Sequence, residues 1–258
     1  MSGRGLVPVG QRGPAGLLDP RRELVVVSWN VHKGLDPSVR AELAALAHTE
    51  AVDVFALQEA RPELALPAGF AGHHAESYRS VGTGVPEGVL TVARADPLEA
   101  LRLRSPRREL FVLTPKAALI SRFATLEGTP LTVVNVHGLN FDPTGRLLDG
   151  QLSDLAQRAS SFDGPMIVAG DFNTWNEARM DAVRELARRL DVTEVTPATA
   201  GGKTGGLGNS ALERAIRLDR ALHLDRVFVR GFRATHAAWV EACRASDHVP
   251  LLAKLAWT

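Results

Sequence analysis

The sequence predicts an α/β protein whose chemistry gathers where its strands end, and two features of the pattern lead there. Short β-branched runs alternate with stretches whose apolar residues return at helical spacing. Several of those runs also pass straight into Asn, Glu, His or Asp instead of ordinary turn residues. A chain of 258 residues permits one large domain or two small ones. Its 45% hydrophobic and 23% charged residues exclude a disordered or collagen-like chain. Lysine and arginine number 30 against 29 acidic residues, so any affinity for nucleic acid must come from a local basic face and not from net charge. The lone Cys243 excludes an internal disulfide and a thiolate-built zinc site.

The elements follow in order. Residues 1–22 carry Gly3, Gly5, Gly10, Gly13 and Gly16 with Pro8, Pro14 and Pro20, punctuation that defeats helix and strand, and read as a flexible tail. The tail has no apolar stretch of signal-peptide length, and nowhere does the chain approach the ~20 apolar residues of a membrane helix, so a cytoplasmic protein is expected. Residues 23–258 read as a single domain without a dividing linker or a repeat of fixed period. The run 24–29 is a buried strand. Asp36 and Pro37 open a helix whose Val39, Leu43, Leu46 and Ala47 share a face. The run 54–58 is the next strand. A strand, helix, strand unit makes its two strands parallel and places ligands at their carboxyl ends, where Asn30 and Glu59 fall.

Further strands are expected at 88–94, 117–127 and 131–138, the last two divided by a hairpin-like break at Gly128, Thr129 and Pro130. A helix over about 148–161 leads to the buried strand of PMIVAGDFN, and Asn176 precedes a helix with Met180, Val183, Leu186 and Leu190 inward. The runs 224–230, 236–242 and 248–257 supply the last strands. The glycine-rich stretch 200–208 reads as a mobile surface loop, because a phosphate-binding loop would need Gly where Pro197 stands and a strand leading in.

Five strand cores end at Asn30 (SWNVHKG), Glu59 (ALQEAR), His137 (VNVHGLN), Asp171 with Asn173 (AGDFNTW) and the pair Asp247 and His248 (SDHVPL); Asp225 opens a sixth (LDRVFV). Carboxylates and imidazoles at such places cost desolvation unless they are paired or bind an ion, so they point to one convergent site. The ordered set WN, QE, NVH, GDFN, LDRVFV and SDHVP resembles the endonuclease/exonuclease/phosphatase superfamily, the group of deoxyribonuclease I, abasic-site endonucleases, neutral sphingomyelinases and inositol polyphosphate 5-phosphatases. The resemblance covers about 24–258, and TPKAAL, VHGLNF and AGDFNTW resemble an uncharacterised bacterial branch of it. It implies two packed mixed β-sheets flanked by helices in four layers.

The resemblance also implies a metal-dependent hydrolase of phosphodiester bonds. Glu59 would be the main ligand of a hard Mg²⁺ or Mn²⁺ ion, supported by Asn30 and, directly or through water, by Asp247. Asp171 and Asn173 stand two apart at a strand end, hence on one face, and can orient the attacking water and the phosphate, with Asp171 the candidate base. His248 matches the family histidine that contacts the scissile phosphate, and Asp225 the carboxylate that holds its imidazole and favours its charge. For His137, general acid and electrostatic clamp both stay open. Lys33 and Lys116, two of only four lysines, sit at motif edges suited to phosphate contact. Arg102, Arg104, Arg107 and Arg108 in LRLRSPRREL form the densest basic run of the folded region and the expected binding face for a nucleic-acid substrate.

Each residue also has a plainer reading. Asn30 and Asn173 alone would be turn or cap residues, Asp225 a turn residue, the arginine run a solvated loop, and Glu63 and Glu76 solvated loop residues. His32, His48, His73, His74, His223 and His236 read as surface or structural, and Cys243 as a small buried residue. No serine lies in a G-x-S-x-G elbow, which sets aside a serine hydrolase. A catalytically silent binding module would have lost part of the set that this chain keeps. The expectation is a monomeric endonuclease-like enzyme, with a phosphodiesterase or phosphatase acting on a phospholipid or an inositol or sugar phosphate as the alternative.

Overall fold

The computed structural model describes residues 5–10, 16–80, 82–109, 114–198 and 224–258. The strands in chain order are β1 (Leu6–Gly10), β2 (Leu24–Asn30), β3 (Val54–Ala60), β4 (Ala71–Arg79), β5 (Pro86–Ala93), β6 (Pro97–Arg104), β7 (Ala117–Phe123), β8 (Leu131–His137), β9 (Met166–Asp171), β10 (Thr193–Glu194), β11 (Asp225–Arg230), β12 (Phe232–Trp239) and β13 (Leu251–Trp257). The helices are α1 (Ser38–Thr49), α2 (Arg146–Ala159) and α3 (Glu177–Leu190). A seven-stranded sheet runs in the order β1-β4-β5-β3-β2-β13-β12, and a six-stranded sheet in the order β10-β11-β9-β8-β7-β6. Each is mixed, with one parallel pair at its middle, β2 with β3 and β8 with β9.

Side-chain alternation assigns every strand residue to a layer. In β2, Leu24 and Val26 turn inward to the space between the sheets, where they join Leu131 and Val133 of β8 and Ile167 and Ala169 of β9. Val25, Val27 and Trp29 turn the other way and pack with Val39, Leu43, Leu46 and Ala47 of α1. On the far side Val134, Val136, Met166 and Val168 pack with Leu148, Leu152 and Leu155 of α2 and Val183, Leu186 and Leu190 of α3. The result is four layers, one helix, two sheets and a helix pair, as the resemblance implied.

Several elements depart from the sequence reading. The stretch Leu6–Gly10, expected to be loose, forms β1 and pairs antiparallel with β4, while Leu18 is buried and bridges to Thr125. β4 and β6 were not foreseen: both carry several polar residues, and beside a small apolar cluster that includes Ala75 and Ala100 they meet through arginine side chains that donate to β4 carbonyls. Glu76, expected in a solvated loop, lies in β4 and pairs with Arg79 at 2.8 Å. Asp36 accepts the Ser38 N–H at 2.8 Å, as its capping role requires, although the helix begins one residue after Pro37. In α3 the inward face is Arg179, Ala182, Val183, Leu186 and Leu190; Met180 is only half-buried. β12 begins at Phe232, upstream of the expected 236, and ends at Trp239. The stretch 200–208 and His223 lie outside the described residues.

Candidate active site

The layer between the sheets changes character along the strands. Its inward positions read Leu24, Val26, Ser28, Asn30 on β2, Val54, Ala56, Gln58 on β3, Leu131, Val133, Asn135, His137 on β8 and Ile167, Ala169, Asp171 on β9. One end is apolar and the other polar. The polar members are buried and bonded across the gap: Asn135 Nδ2 donates to the Leu57 and Leu90 carbonyls at 3.1 and 3.0 Å, and Gln58 Nε2 donates to Asn135 Oδ1 at 2.8 Å, while Gln58 Oε1 has no partner among the described residues. Such bonds make a polar interlayer tolerable and tie the two sheets in one relative position.

At the mouth of this layer stand the residues expected from the sequence. Asp225, at the start of β11, pairs in register with Asp171 at the end of β9. His248 Nδ1 donates to Asp225 Oδ2 at 2.9 Å, Ser28 Oγ donates to Asp225 Oδ1 at 3.3 Å, and His248 Nε2 lies 3.9 Å from Asp171 Oδ2. Burial disfavours a charged His248, but the bond to Asp225 and the charges of Asp171, Asp225 and Asp247 outweigh it and raise its pKa to about 10. His248 is therefore an imidazolium. Asp171 is buried, which pushes its carboxyl above the ordinary range against the pull of His248. It accepts bonds from Asn30 Nδ2 at 3.1 Å and from the Asn173 N–H at 3.0 Å. Gly170 before it has φ +150°, and a Cβ there would lie 2.0 Å from the Val136 carbonyl, so only glycine lets β9 approach β8 here. His137 Nε2 sits 3.7 Å from Asp171 Oδ2 and 3.8 Å from Glu59 Oε1. Burial, together with the nearby charges of Lys116 and His248, holds its pKa well below the usual value. His137 is neutral, so these proximities are not ion pairs.

Glu59 reaches the site through a distortion. Simple alternation would send it after Phe55 and Leu57 to the α1 face. The register of β3 against β5 instead shifts between Leu57 and Ala60, and Glu59 adopts a left-handed φ of 50°. That conformation costs a non-glycine residue about 1–3 kcal/mol, a strain of the kind found at functional sites. His74, buried in β4, donates from Nε2 to the Ala60 carbonyl at 3.1 Å and supports the bulge. Asn30 Oδ1 accepts the His32 N–H at 3.1 Å, and Ser246 Oγ donates to the Asn30 carbonyl at 2.6 Å and lies 3.1 Å from Asp247 Oδ1. Asn30, Glu59 and Asp247 thus border the end of β2 and its parallel neighbour β3. Their donors are hard oxygens, and among the described residues no three of His, Cys, Asp and Glu close a cage. An oxygen-seeking ion that keeps several waters, such as Mg²⁺, fits this donor set. His32 lies beside it, 3.5 Å from Asp247.

The expected substrate-binding cations divide. Lys116 is buried, 3.7 Å from both Glu59 and Glu109, and belongs to the site interior. Lys33, at φ +65°, lies 3.6 Å from the buried Glu87, which also accepts from Tyr78, Ser80 and Arg61. Arg102 is not brought to the site: it is half-buried, and its Nε donates to the Glu76 carbonyl at 2.7 Å. Arg104 is exposed at the end of β6 opposite Ala117, although its Nε donates to the Ser77 carbonyl at 2.8 Å. Arg107 and Arg108 are exposed just beyond it, with Arg107 reaching the Arg146 carbonyl at 3.3 Å.

Sequence reasoning missed Glu109, Gln151 and Arg179. Glu109 accepts the Asn140 N–H at 3.0 Å and the Thr114 hydroxyl at 2.7 Å; Gln151 takes the Leu139 N–H at 2.8 Å and donates to the His137 carbonyl at 2.9 Å. All three hold the loop that follows His137. No motif marks them, and the one signal was an Arg on the apolar face of an otherwise regular helical pattern.

A profile of the Endonuclease/Exonuclease/phosphatase family matches residues 27–248. The chain is 33% identical over 248 residues to a UPF0294 protein of Klebsiella pneumoniae, covering 93% of this chain and 84% of that one. It is 28% identical over 243 residues to one of Vibrio parahaemolyticus, covering 92% and 79%. The fold is shared with the human Nocturnin catalytic domain (TM-score 0.64, 16% identity, 100% of this chain and 99% of that) and with D. rerio TDP2 complexed with a single-strand DNA product (0.60, 19%, 90% and 98%). It is shared as well with a mannosyl-6-phosphatase of Bacteroides thetaiotaomicron (0.62, 16%, 90% and 99%). With its strand-end carboxylates and histidines spanning the matched region, this chain belongs to the Endonuclease/Exonuclease/phosphatase family.

Proposed function

We propose that the protein is a divalent-metal-dependent hydrolase that cleaves phosphodiester bonds of nucleic acid. The observation that carries the chemistry is the pairing of a charged His248, held by Asp225 at 2.9 Å, with a buried Asp171 at 3.9 Å and a neutral His137 beyond it. The imidazolium of His248 stabilises the negative charge that grows on the nonbridging oxygens. Asp171, with its raised pKa, takes a proton from the attacking water, while its bonds from Asn30 and Asn173 fix its direction. His137, neutral, offers a hydrogen bond to the leaving oxygen. Mg²⁺ or Mn²⁺ held by Glu59, Asn30 and Asp247 would polarise the phosphate.

The nucleic-acid reading rests on cations around this centre: Lys33 and Arg61 beside Glu87, Lys116 between two carboxylates, and Arg104, Arg107 and Arg108 at the rim of the neighbouring sheet. The D. rerio TDP2 complex is an instance of this fold with a DNA strand bound. The test is a substrate panel with added Mg²⁺ or Mn²⁺, spanning supercoiled, single-stranded and abasic DNA, RNA, phosphoinositides, sphingomyelin and sugar phosphates. Cleavage of a nucleic acid that stops with chelator supports the reading. Turnover confined to a lipid or sugar phosphate replaces it with the alternative on the same machinery.

A further inference from the structure

Arg179 is fully buried in the first turn of α3, yet no carboxylate lies within 4.0 Å of it among the described residues. Taking a guanidinium out of water without a counter-ion is costly, and here burial lowers its pKa even though Asp142, Asp171 and Glu109 pull the other way. Its donors go to backbone carbonyls. Nε donates to Asn173, one terminal nitrogen to Leu139, and the other to Asp142 at 3.1 Å. These acceptors belong to two different segments: Asn173 follows β9 and Asp171, whereas Leu139 and Asp142 follow β8 and His137.

The same two segments are laced together around the guanidinium. Asn173 Nδ2 donates to the Gly138 carbonyl at 3.0 Å, and Trp175 Nε1 donates to Asn140 Oδ1 at 2.8 Å. The Trp175 ring lies 5.3 Å from the guanidinium carbon. Asn176 caps α3 by accepting the Arg179 N–H at 3.0 Å, which fixes where the side chain starts. Asn173 itself is left-handed, at φ 52°, and so depends on its surroundings to stay in place.

We propose that Arg179 is a positioning residue for the hydrolytic site: its planar fork sets the spacing between the loop after His137 and the loop carrying Asn173, and so places the groups that orient the water and the leaving oxygen. This rests on the hydrolase reading for its consequence in turnover, but the geometric claim stands apart from it. A fork is required because three carbonyls lie in different directions. The compact ammonium of lysine keeps the charge but cannot span them.

The test compares Arg179→Lys and Arg179→Ala with the wild type, each with Mg²⁺ or Mn²⁺ on a small chromogenic phosphodiester. For Arg179→Lys the expected result is a kcat at least 30-fold lower with KM within about threefold, since a misplaced constellation loses turnover before it loses binding. For Arg179→Ala, millimolar guanidinium should restore kcat at least fivefold where ammonium at equal ionic strength does not. Amide hydrogen exchange of Arg179→Lys supplies a readout without turnover: residues 138–142 and 173–176 should exchange at least tenfold faster while the β2, β8 and β9 amides keep their protection. Wild-type exchange in those two loops, or a folded Arg179→Lys with kcat within twofold of wild type, overturns the proposal. If the wild type hydrolyses no phosphodiester while exchange rises only in the two loops, the hydrolase reading falls and the positioning claim holds.

Discussion

The two ends of the layer between the sheets are built on the same strands and by the same alternation, but they do opposite things. At the amino ends of the four central strands, Leu24, Val26, Val54, Leu131, Val133 and Ile167 bury apolar surface and supply cohesion. At their carboxyl ends Ser28, Asn30, Gln58, Asn135, His137 and Asp171 bury polar groups that depend on partners across the gap. The apolar end needs only volume and shape. The polar end needs direction, and it obtains it from a bulge at Glu59, a glycine at Gly170 and carbonyls gathered by Arg179. Stability and chemistry are thus separated by about three residues along each strand, which substitutions can show.

The largest expected effects lie at the polar end and fall on turnover. Glu59→Gln should remove most metal-dependent activity, since a neutral amide weakens ion binding with little change of shape, and excess chelator should reproduce the loss in the wild type. His137→Ala and His248→Ala should each lower kcat on the order of 10²-fold or more, with Asp225→Asn a milder form of the His248 loss. Steady-state kinetics beside thermal melting decide the matter: near-normal rates in both histidine variants would show that the polar end is not the catalytic one. At the apolar end the expectation inverts. Leu131→Ala should cost about 2–5 kcal/mol of stability through the cavity it leaves, read by denaturant titration, while the folded fraction keeps its kcat.

Much of this division was legible in the chain. The inward series ending in Asn30, His137 and Asp171 is written as alternation, and a polar residue closing an apolar strand is a signal that needs no structure. What alternation could not reveal is where it breaks. Glu59 stood at the end of its strand, but parity places it on the wrong face, and only the register shift against β5 corrects it. β6 did not read as a strand because charged residues break up its apolar pattern; in the fold Arg102 and Arg104 spend donors on β4 carbonyls. Arg179 lay inside a helical pattern whose neighbouring Met180 looked like the inward residue, since hydrophobic periodicity gives no weight to a cation that lives on carbonyls. Long-range partners of this kind are set by tertiary packing and leave no local mark.

A smaller effect sharpens the comparison at the rim. Arg104, Arg107 and Arg108 are exposed, although Arg104 and Arg107 each also give a donor to a carbonyl, whereas Arg102 is half-buried. Replacing the first three by glutamine should flatten the salt dependence of nucleic-acid binding by roughly one unit of slope for each phosphate that is no longer neutralised, leaving turnover of a small phosphodiester in place. Arg102→Gln should lower melting temperature instead and leave the slope alone. Equal slopes for wild type and triple variant, measured by binding over a range of salt, would remove this rim from the substrate path.

The smallest expected effect concerns pH and the support of the loop after His137. Asp142 Oδ2 accepts the Leu147 N–H at 2.7 Å, and its Oδ1 accepts the Thr144 N–H at 3.0 Å and hydroxyl at 2.6 Å, so the carboxylate caps the start of α2. Burial alone would raise its pKa, but these donors, with the charge of Arg179, outweigh it and hold the carboxyl below its ordinary value. Because the folded pKa is depressed, the unfolded chain binds this proton more readily. The contribution is complete above the unfolded carboxyl value of about 3.9 and is lost as pH falls from there through the folded one. Asp142→Asn turns one of these acceptors into a donor facing an N–H, and should therefore cost about 1 kcal/mol near neutrality, the net scale of one lost hydrogen bond, and less once pH lies below the folded value. Urea titrations of the two proteins from pH 7 down to pH 2 check it, and a difference that does not shrink below about pH 4 would mean that the carboxylate is not what holds this turn.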